Sequence, residues 1–196
     1  MSQQWSADVS VSLPITISNS LPIATSDALA LEGARVTLRL LQESFFQDYH
    51  RMLSPTVRSL LRLAEHATFQ HTCDYLNSRL ALMQAGKHVF FCIFDNVEQR
   101  LIGAFEIRDS NYIFGQLGVW INEQYWGGGR YQEALDLALN FYFAHSQAQS
   151  VNALIDMTNM RSLKAHQKYG FVIVGECMRA ENGTDFIMHR LEYARK

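Results

Sequence analysis

Three consecutive glycines at positions 127–129 are the residues whose type and spacing point most directly to chemistry. They follow a segment rich in β-branched and aromatic residues, 116–121, and precede a run in which Leu135, Leu139 and Tyr142 recur at helical spacing. Glycine lets the backbone approach a ligand closely, and the first N–H groups of a helix have no partner within it. A strand, a glycine turn and a helix start therefore predict an anion site suited to phosphate or pyrophosphate. The alternative is a glycine-rich turn that binds nothing.

The glycine turn matches neither of two common phosphate-binding patterns. It lacks the spacing and the lysine of the Walker loop. Residues 127–132 read Gly-Gly-Gly-Arg-Tyr-Gln, without the last glycine of the dinucleotide fingerprint. Neither a P-loop nucleotide site nor a Rossmann site is therefore predicted.

Residues 124–134 (Gln-Tyr-Trp-Gly-Gly-Gly-Arg-Tyr-Gln-Glu-Ala) resemble the acetyl-CoA pyrophosphate loop of the GNAT N-acetyltransferases. The sequence of this stretch is most similar to that of the branch that acetylates ribosomal-protein N-termini (RimJ/RimL type). Trp126 stands at the Arg or Gln position of the general motif, as it does in that branch, and Gly129 matches the central glycine. Tyr131 stands where Gly or Ala is usual, so a bulky side chain is expected beside the pyrophosphate. The resemblance extends over roughly residues 33–193.

A second stretch, 159–171, resembles another family motif at the correct distance after the glycine turn. The coinciding residues are Asn159, Ser162, Lys168, Gly170 and Phe171. Two motifs in register are far more specific than either alone.

The resemblance implies that acetyl-CoA is the co-substrate. The residues that it implies for binding acetyl-CoA are Val119, Trp120, Ile121, Trp126, Gly127, Gly128, Gly129, Arg130, Tyr131, Asn159 and Ser162. A strand amide near residues 119–121 is expected to polarise the thioester carbonyl. No metal is implied, and the three cysteines have no paired metal-ligand spacing.

Three side chains are the candidates for catalysis. His166 falls where many family members place a tyrosine that reprotonates the leaving thiolate, and a histidine can do that work; the alternative is a histidine packed against the cofactor or in solvent. Ser162, four residues earlier on the same helical face, is expected to contact a phosphate or the departing thiol, unless it only caps its helix. In the ribosomal-protein branch a glutamate on the strand before the glycine turn is the candidate base for the amine. Gln116 stands at that position here, and glutamine cannot accept a proton. Glu106 is the nearest substitute if it points into the cleft, and a solvated strand residue if it does not.

The periodicity predicts an α+β fold. Strands are expected at 33–41, 88–94, 101–108, 112–121, 151–157, 171–180 and 185–193, and helices at 43–53, 56–63, 68–85, from the glycine turn to 144, and at 159–169. This order is that of the GNAT fold, a mixed, mostly antiparallel sheet flanked by helices. The resemblance implies that strands 112–121 and 151–157 splay apart around the cofactor.

Residues 1–31 differ from the predicted domain, 32–196. They are nearly uncharged, and apolar residues alternate with polar ones from Val9 to Ile17. This alternation favours an arm that adds to a sheet edge, its own or a partner's, over a flexible tail. A homodimer is among the expected states.

The composition is that of an ordinary soluble domain, with 48% hydrophobic and 18% charged residues. A net charge of -2 and a pI near 6.4 argue against a nucleic-acid partner. No apolar run is long enough to span a membrane, and no basic residue precedes Arg35, as a signal peptide would require. Three widely spaced cysteines fit a reducing compartment, the cytoplasm.

The sequence therefore predicts an N-acetyltransferase that moves acetyl directly from acetyl-CoA to a primary amine. The acceptor is left open among a protein N-terminus, a polyamine and an amine-bearing small molecule or antibiotic. One alternative is a catalytically silent GNAT-fold module that binds CoA or acts in protein interactions. Gln116, Tyr131 and the missing tyrosine at 166 favour that alternative. Another is an acyltransferase with a roomier pocket for a different acyl group.

Overall fold

The computed structural model describes residues 29–64, 67–108, 115–181 and 184–196. In chain order the elements are β1 (Ala30–Glu32), β2 (Val36–Leu40), α1 (Phe46–Met52), α2 (Pro55–Leu60), α3 (Phe69–Gln84), β3 (His88–Asp95), β4 (Arg100–Arg108), β5 (Gly115–Ile121), α4 (Arg130–Ala144), β6 (Ser150–Asp156), α5 (Met160–Tyr169), β7 (Val172–Glu181) and β8 (Thr184–Ala194). Single 3₁₀ turns precede α1 and follow β5. None of the described helices is both long and apolar enough to cross a membrane.

All eight strands form one sheet, in the order β1-β2-β3-β4-β5-β6-β8-β7. Every neighbouring pair is antiparallel except β5 and β6, which run parallel. That parallel pairing spans only three positions, Gly115 to Leu117 opposite Val151 to Ala153. From Gly118 onward the two strands diverge, which confirms the predicted splay.

The helices cover both faces of the sheet, because neighbouring residues of a strand point to opposite faces. On β3, Phe90 packs against Tyr49 of α1, whereas Phe91 packs edge-on against Phe141 of α4. Strands buried on both faces need continuous apolar runs, which explains the uninterrupted sequence of β3. On α4, the predicted apolar face is confirmed, with Leu135 among its fully buried residues.

Side chains define where three of the helices begin. The hydroxyl of Ser54 accepts from Val57 N, and that of Thr68 accepts from His71 N. Thr68 N in turn donates to His71 Nδ1, which completes a capping box. Asn159 Oδ1 accepts from Ser162 N at the start of α5. The helix α4 differs, since its N-cap is Gly129 and no side chain caps it.

The N-terminal boundary differs from the prediction. A separate strand, β1, precedes β2 and pairs with it in antiparallel fashion, so residues 30 and 31 belong to the sheet rather than to the arm. The alternation in that short strand spans too few residues to be recognised in the sequence. The predicted arm strand at 9–17 and the predicted turn at 182–183 lie outside the described residues.

Candidate active site

Two cavities lie on either side of β5 where it leaves β6. The first, called here the α5-side cavity, has a volume of about 350 Å³ and opens between the end of β5, the glycine turn and α5. Its lining includes most of the residues predicted to bind the cofactor, namely Val119, Trp120, Ile121, Trp126, Gly127, Tyr131, Asn159 and Ser162. Gly128, Gly129 and Arg130 complete the turn beside it. The structure thus brings the two sequence motifs together around one space.

The glycine turn has the backbone conformation of an anion cradle. Gly127, Gly128 and Gly129 all have positive φ, at 87°, 61° and 82°. A Cβ at Gly127 would meet no atom within 4 Å, so the turn is open to a ligand. The acid in the first turn of α4, Glu133, does not fill this space. Its carboxylate instead accepts from the backbone N–H groups of residues 34–36, at 2.7 to 2.9 Å.

The positive end of α4 therefore faces the cavity without a competing side-chain cap. Cations surround the same space: Arg161, Lys164 and Lys168 line the cavity. Arg35 also lies next to Gly129, with its Nε 3.4 Å from the place of a Cβ there. Of these cations only Lys168 was part of a recognised motif; Arg35 comes from the distant β1–β2 turn and carries no sequence signal.

The side chain of Arg130, beside the glycine turn, is paired with a buried carboxylate. Its Nε donates to Asp95 Oδ1 at 2.6 Å, and Asp95 is buried at the end of β3. Burial would raise the pKa of Asp95, but the Glu98 N–H and the Arg130 guanidinium lower it overall. The charge of Arg130 is thus compensated, although its Nη1 stays beside the glycine turn, 3.0 Å from the place of a Cβ at Gly128.

The two departures from the family pattern, Tyr131 and His166, are bonded to each other. Tyr131 Oη lies 2.9 Å from His166 Nδ1, and the rings meet edge-on. His166 is only 3% exposed and is outside the lining of both cavities, whereas Tyr131 lines the α5-side cavity. This geometry argues against the predicted role of His166 as a direct proton donor, because Tyr131 stands between its ring and the cavity.

The hydrogen bonds of His166 determine where its proton lies. Nδ1 is 2.9 Å from the carbonyl oxygen of Ser162, which can only accept, so Nδ1 carries the proton. Tyr131 Oη, at the same distance, is then a second acceptor that shares this one N–H with Ser162 in a three-centre bond, so the tyrosine O–H is not donated to His166. Burial lowers the pKa of His166 to about 4, against a smaller raising effect of the bond to Ser162. The ring is therefore neutral at physiological pH.

The second cavity, called here the α3-side cavity, has a volume of about 330 Å³ and lies between α1, α3 and the sheet. It shares Leu61, Val119 and Trp120 with the α5-side cavity. Glu106 lines it, so of the two orientations left open by the sequence the structure has the one into the cleft. Gln116 lines neither cavity, although it is buried.

Glu106 is surrounded by donors. Arg108 donates to Oε1 from Nη2 at 2.6 Å and from Nε at 3.0 Å, His88 Nε2 lies 2.9 Å from Oε2, and the Tyr75 hydroxyl donates at 3.3 Å. Burial would raise the pKa of Glu106, but the bond from His88 and the charge of Arg108 lower it to about 2. The carboxylate is therefore ionised and a weak base. Sequence reasoning missed this cluster, whose members come from three separate elements, β3, β4 and α3.

The fold is similar to that of known acetyltransferase structures. An acetyl transferase from Salmonella typhimurium that modifies the N-terminal serine of a large-subunit ribosomal protein is 17% identical with a TM-score of 0.76, covering 86% of this chain and 100% of its own. A ribosomal-protein-alanine acetyltransferase from Vibrio fischeri is 19% identical with a TM-score of 0.72, covering 85% and 96%. A spermidine N-acetyltransferase from Vibrio cholerae, solved with CoA and spermine, is 18% identical with a TM-score of 0.69, covering 83% and 96%.

No curated protein sequence gives a significant match. The profile of the acetyltransferase (GNAT) domain matches residues 35–172, which is more than half of the chain and includes both motifs. The open glycine cradle, the uncapped start of α4 and the cations beside it fit the co-substrate of that family. This chain belongs to the GNAT family of acetyltransferases, which use acetyl-CoA as the acetyl donor.

Proposed function

We propose that this acetyltransferase moves acetyl directly from acetyl-CoA to a primary amine, with the donor in the α5-side cavity and the amine in the α3-side cavity. One observation carries the proposal: the two cavities share Leu61, Val119 and Trp120 at the point where β5 leaves β6. A thioester and an amine that approach from opposite sides would meet there. Holding both reactants in this arrangement would itself account for a large part of the rate.

The phosphates of acetyl-CoA are assigned to the glycine turn and the cations around it. Backbone N–H groups at residues 128–131 would bind the pyrophosphate with the positive end of α4. Lys164 and Lys168 add positive charge from α5. Asn159 uses Oδ1 as a helix cap, which leaves its Nδ2 donors for an amide of the pantetheine arm.

Acetyl-CoA supplies a thioester whose carbonyl carbon the amine attacks, with loss of the C–S bond. The backbone of β5 can polarise that carbonyl. Asn122 N–H donates to Ile102 O on β4, so by alternation the N–H groups of Val119 and Ile121 face away from β4, into the gap. An amide that already points to the reacting oxygen stabilises negative charge there without reorganisation.

The departing sulfur is assigned to Ser162 and Tyr131. Both line the α5-side cavity, and the Tyr131 hydroxyl has its proton free to donate because His166 donates to its oxygen. Burial raises the pKa of Tyr131 well above its ordinary value, so the hydroxyl stays protonated at every physiological pH. It therefore acts as a hydrogen-bond donor to the thiolate, and His166 is a positioning residue behind it.

The proton lost by the amine goes to water rather than to Glu106. A carboxylate with a pKa near 2 that already accepts from Arg108 and His88 is too weak a base for an ammonium group. We assign Glu106 instead to holding the cationic side chains of the α3-side cavity. The overall exchange is balanced: the ammonium gives one proton to water before the attack, and the second proton, lost from nitrogen as the amide forms, returns through water to the thiolate, which leaves as the CoA thiol.

The departures that favoured a silent module are consistent with catalysis in this geometry. Tyr131 turns towards α5 and bonds to His166, which leaves the glycine turn open. Gln116 is outside both cavities, so it does not occupy the place of a base. Neither Tyr131 nor Gln116 blocks the place beside Val119 where the two cavities meet.

We extend the proposal to the compartment, which is the cytoplasm, and to the assembly, which is a homodimer. The three thiols are free, as expected for a cytoplasmic protein, and Cys92 is fully buried. The edge strand β7 exposes Val172 and Met178, at 59% and 71%, a surface that a second copy could cover. Sedimentation velocity of the full chain and of a form lacking residues 1–28 tests the homodimer: loss of a dimer would assign the contact to the arm.

The experiment that tests the function is an assay of thiol release with acetyl-CoA and a panel of amines. The panel contains free amino acids, short peptides with free N-termini and a polyamine, and mass spectrometry of the products gives the site of acetylation. Release above spontaneous hydrolysis, with an N-acetylated product, is expected. Confirmed binding of acetyl-CoA without acetylation of any amine would contradict the proposal and support a silent module.

A further inference from the structure

The α3-side cavity holds more positive than negative charge on its described lining. Arg79 and Arg108 carry fixed positive charges there, and Glu106 is the acidic side chain among the described lining residues. Every strong acceptor position of Glu106 is already used by Arg108 and His88. The cavity is therefore not arranged to attract a polycation.

Arg79 has donor capacity that the protein does not use. Its Nε is buried and makes no hydrogen bond to any described residue, and it lies 3.7 Å from Glu106 Oε2, beyond hydrogen-bond distance. The guanidinium packs over the ring of Tyr75 at 4.4 Å, which fixes its position at the cavity wall. A buried N–H without an acceptor is costly, and a ligand oxygen would remove that cost.

The second guanidinium lies next to the reaction point. A Cβ at Gly118 would come within 3.1 Å of both Arg108 Nη2 and Glu106 Oε1, so any larger residue there would press on this pair above β5. The next residue, Val119, is where the two cavities meet. An anion beside Arg108 would thus be a short distance from an amine placed for acetylation.

We propose that the α3-side cavity selects an amine that also carries a carboxylate near its nitrogen, and that Arg79, with Arg108, binds this carboxylate. The inference rests on the proposed function and names its substrate class: acidic amines, such as a free α-amino acid or a peptide N-terminus followed by an acidic residue. The shared chemistry is a carboxylate within a few bonds of the amine. Polyamines are excluded by the same charges.

The first test uses matched substrates that differ in one charge. An α-amino acid is compared with its amide, and a peptide that begins Ser-Glu is compared with one that begins Ser-Gln, with rates corrected for the fraction of free amine. The acidic member is expected to have a kcat/KM at least about tenfold higher, the value of a hydrogen bond to a charged group. The first pair reports on free amino acids and the second on peptides. Equal values in both pairs, or a preference for spermidine, would overturn the proposal.

The second test assigns the preference to Arg79. Arg79→Gln is expected to lower kcat/KM for the acid by at least about tenfold more than it lowers kcat/KM for the amide, so that the ratio between the two falls towards one. Arg51→Gln, an exposed arginine of α1 paired with Asp48, is the matched control and should keep the ratio. An unchanged affinity for acetyl-CoA shows that the variant is folded. A ratio that survives Arg79→Gln would remove Arg79 from the site.

A binding measurement keeps this inference separate from the catalytic one. Calorimetry with CoA present and an N-acetylamino acid as the titrant should show binding to the wild-type protein, and about tenfold weaker binding of the corresponding amide. This readout needs no turnover. Binding of the acid without any acetylation would contradict the proposed function alone, whereas acetylation without preference for the acid would contradict this inference alone.

Discussion

The two cavities that flank β5 are built in different ways. The α5-side cavity is lined by three stretches of chain, 57–61, 119–132 and 159–168, and its polar groups come mainly from the glycine turn and α5. The α3-side cavity is formed by single residues of separate elements, and its charges are fixed by one another around Glu106. The difference indicates that the donor site depends on backbone conformation, whereas the acceptor site depends on a buried charge network.

Substitution of Glu106 should disrupt the α3-side cavity and leave acetyl-CoA binding in the α5-side cavity unaffected. Glu106→Gln leaves Arg108 and His88 without their charged partner in a buried position, and we expect a loss of about 3 kcal/mol in the free energy of unfolding. Affinity for acetyl-CoA should change less than about twofold, since the α5-side cavity does not include this residue. Urea denaturation and calorimetry measure the two quantities. The matched control is Glu176→Gln, an exposed carboxylate whose loss should cost under about 1 kcal/mol.

Substitution of Gly129 should weaken acetyl-CoA binding at the glycine turn and leave the α3-side cavity unaffected. In Gly129→Asp a carboxylate stands against the pyrophosphate at a backbone φ of 82°, and affinity for acetyl-CoA should fall by about 100-fold. Gly86→Asp is the control, because Gly86 has a similar φ of 68° in open space at the end of α3. Equal affinity of Gly129→Asp and wild type would remove the phosphates from the glycine turn.

The pair formed by Tyr131 and His166 should make stability sensitive to acid. The pKa of His166 falls from about 6.5 to about 4 on folding, so the unfolded chain binds the proton more readily as the pH drops through this window. Between about pH 7 and about pH 5 the wild type should lose about 2 kcal/mol more unfolding free energy than His166→Gln. About one pH unit above 6.5 and higher, the histidine is unprotonated in both states and contributes almost no pH dependence. Parallel curves for the two proteins would show that the ring is not neutral in the fold.

Removal of one hydroxyl should sharpen the assignment of the donor site. Tyr131→Phe keeps the packing against α5 but cannot donate to sulfur, so kcat should fall about tenfold with affinity for acetyl-CoA nearly unchanged. Tyr169→Phe is the control, because its hydroxyl donates to Asp136 on the surface. Thiol release at saturating acetyl-CoA gives kcat. An unchanged value for Tyr131→Phe would leave Ser162 as the sole donor.

The sequence predicted the donor side better than the acceptor side, for a physical reason. Strand, glycine turn and helix start are neighbours in the chain, so the residues from Val119 to Tyr131 could be assigned together. The bond between Tyr131 and His166 joins two helices and has no local signature, although both residues were recognised as departures from the pattern. Glu106 was recognised, but the donors that lower its pKa come from β3, β4 and α3 and converge only in the folded sheet.

The initial-rate pattern with both substrates varied is the measurement that tests the central claim most directly. If acetyl passes straight from acetyl-CoA to an amine at the meeting point beside Val119, both substrates must be bound together. No cysteine is among the described residues that line either cavity, so no thiol is placed to carry the acetyl group. Initial rates over a grid of acetyl-CoA and amine concentrations should give intersecting reciprocal plots, and mass spectrometry after acetyl-CoA alone should show unmodified protein. Parallel plots together with an acetylated side chain that the amine then discharges would contradict direct transfer.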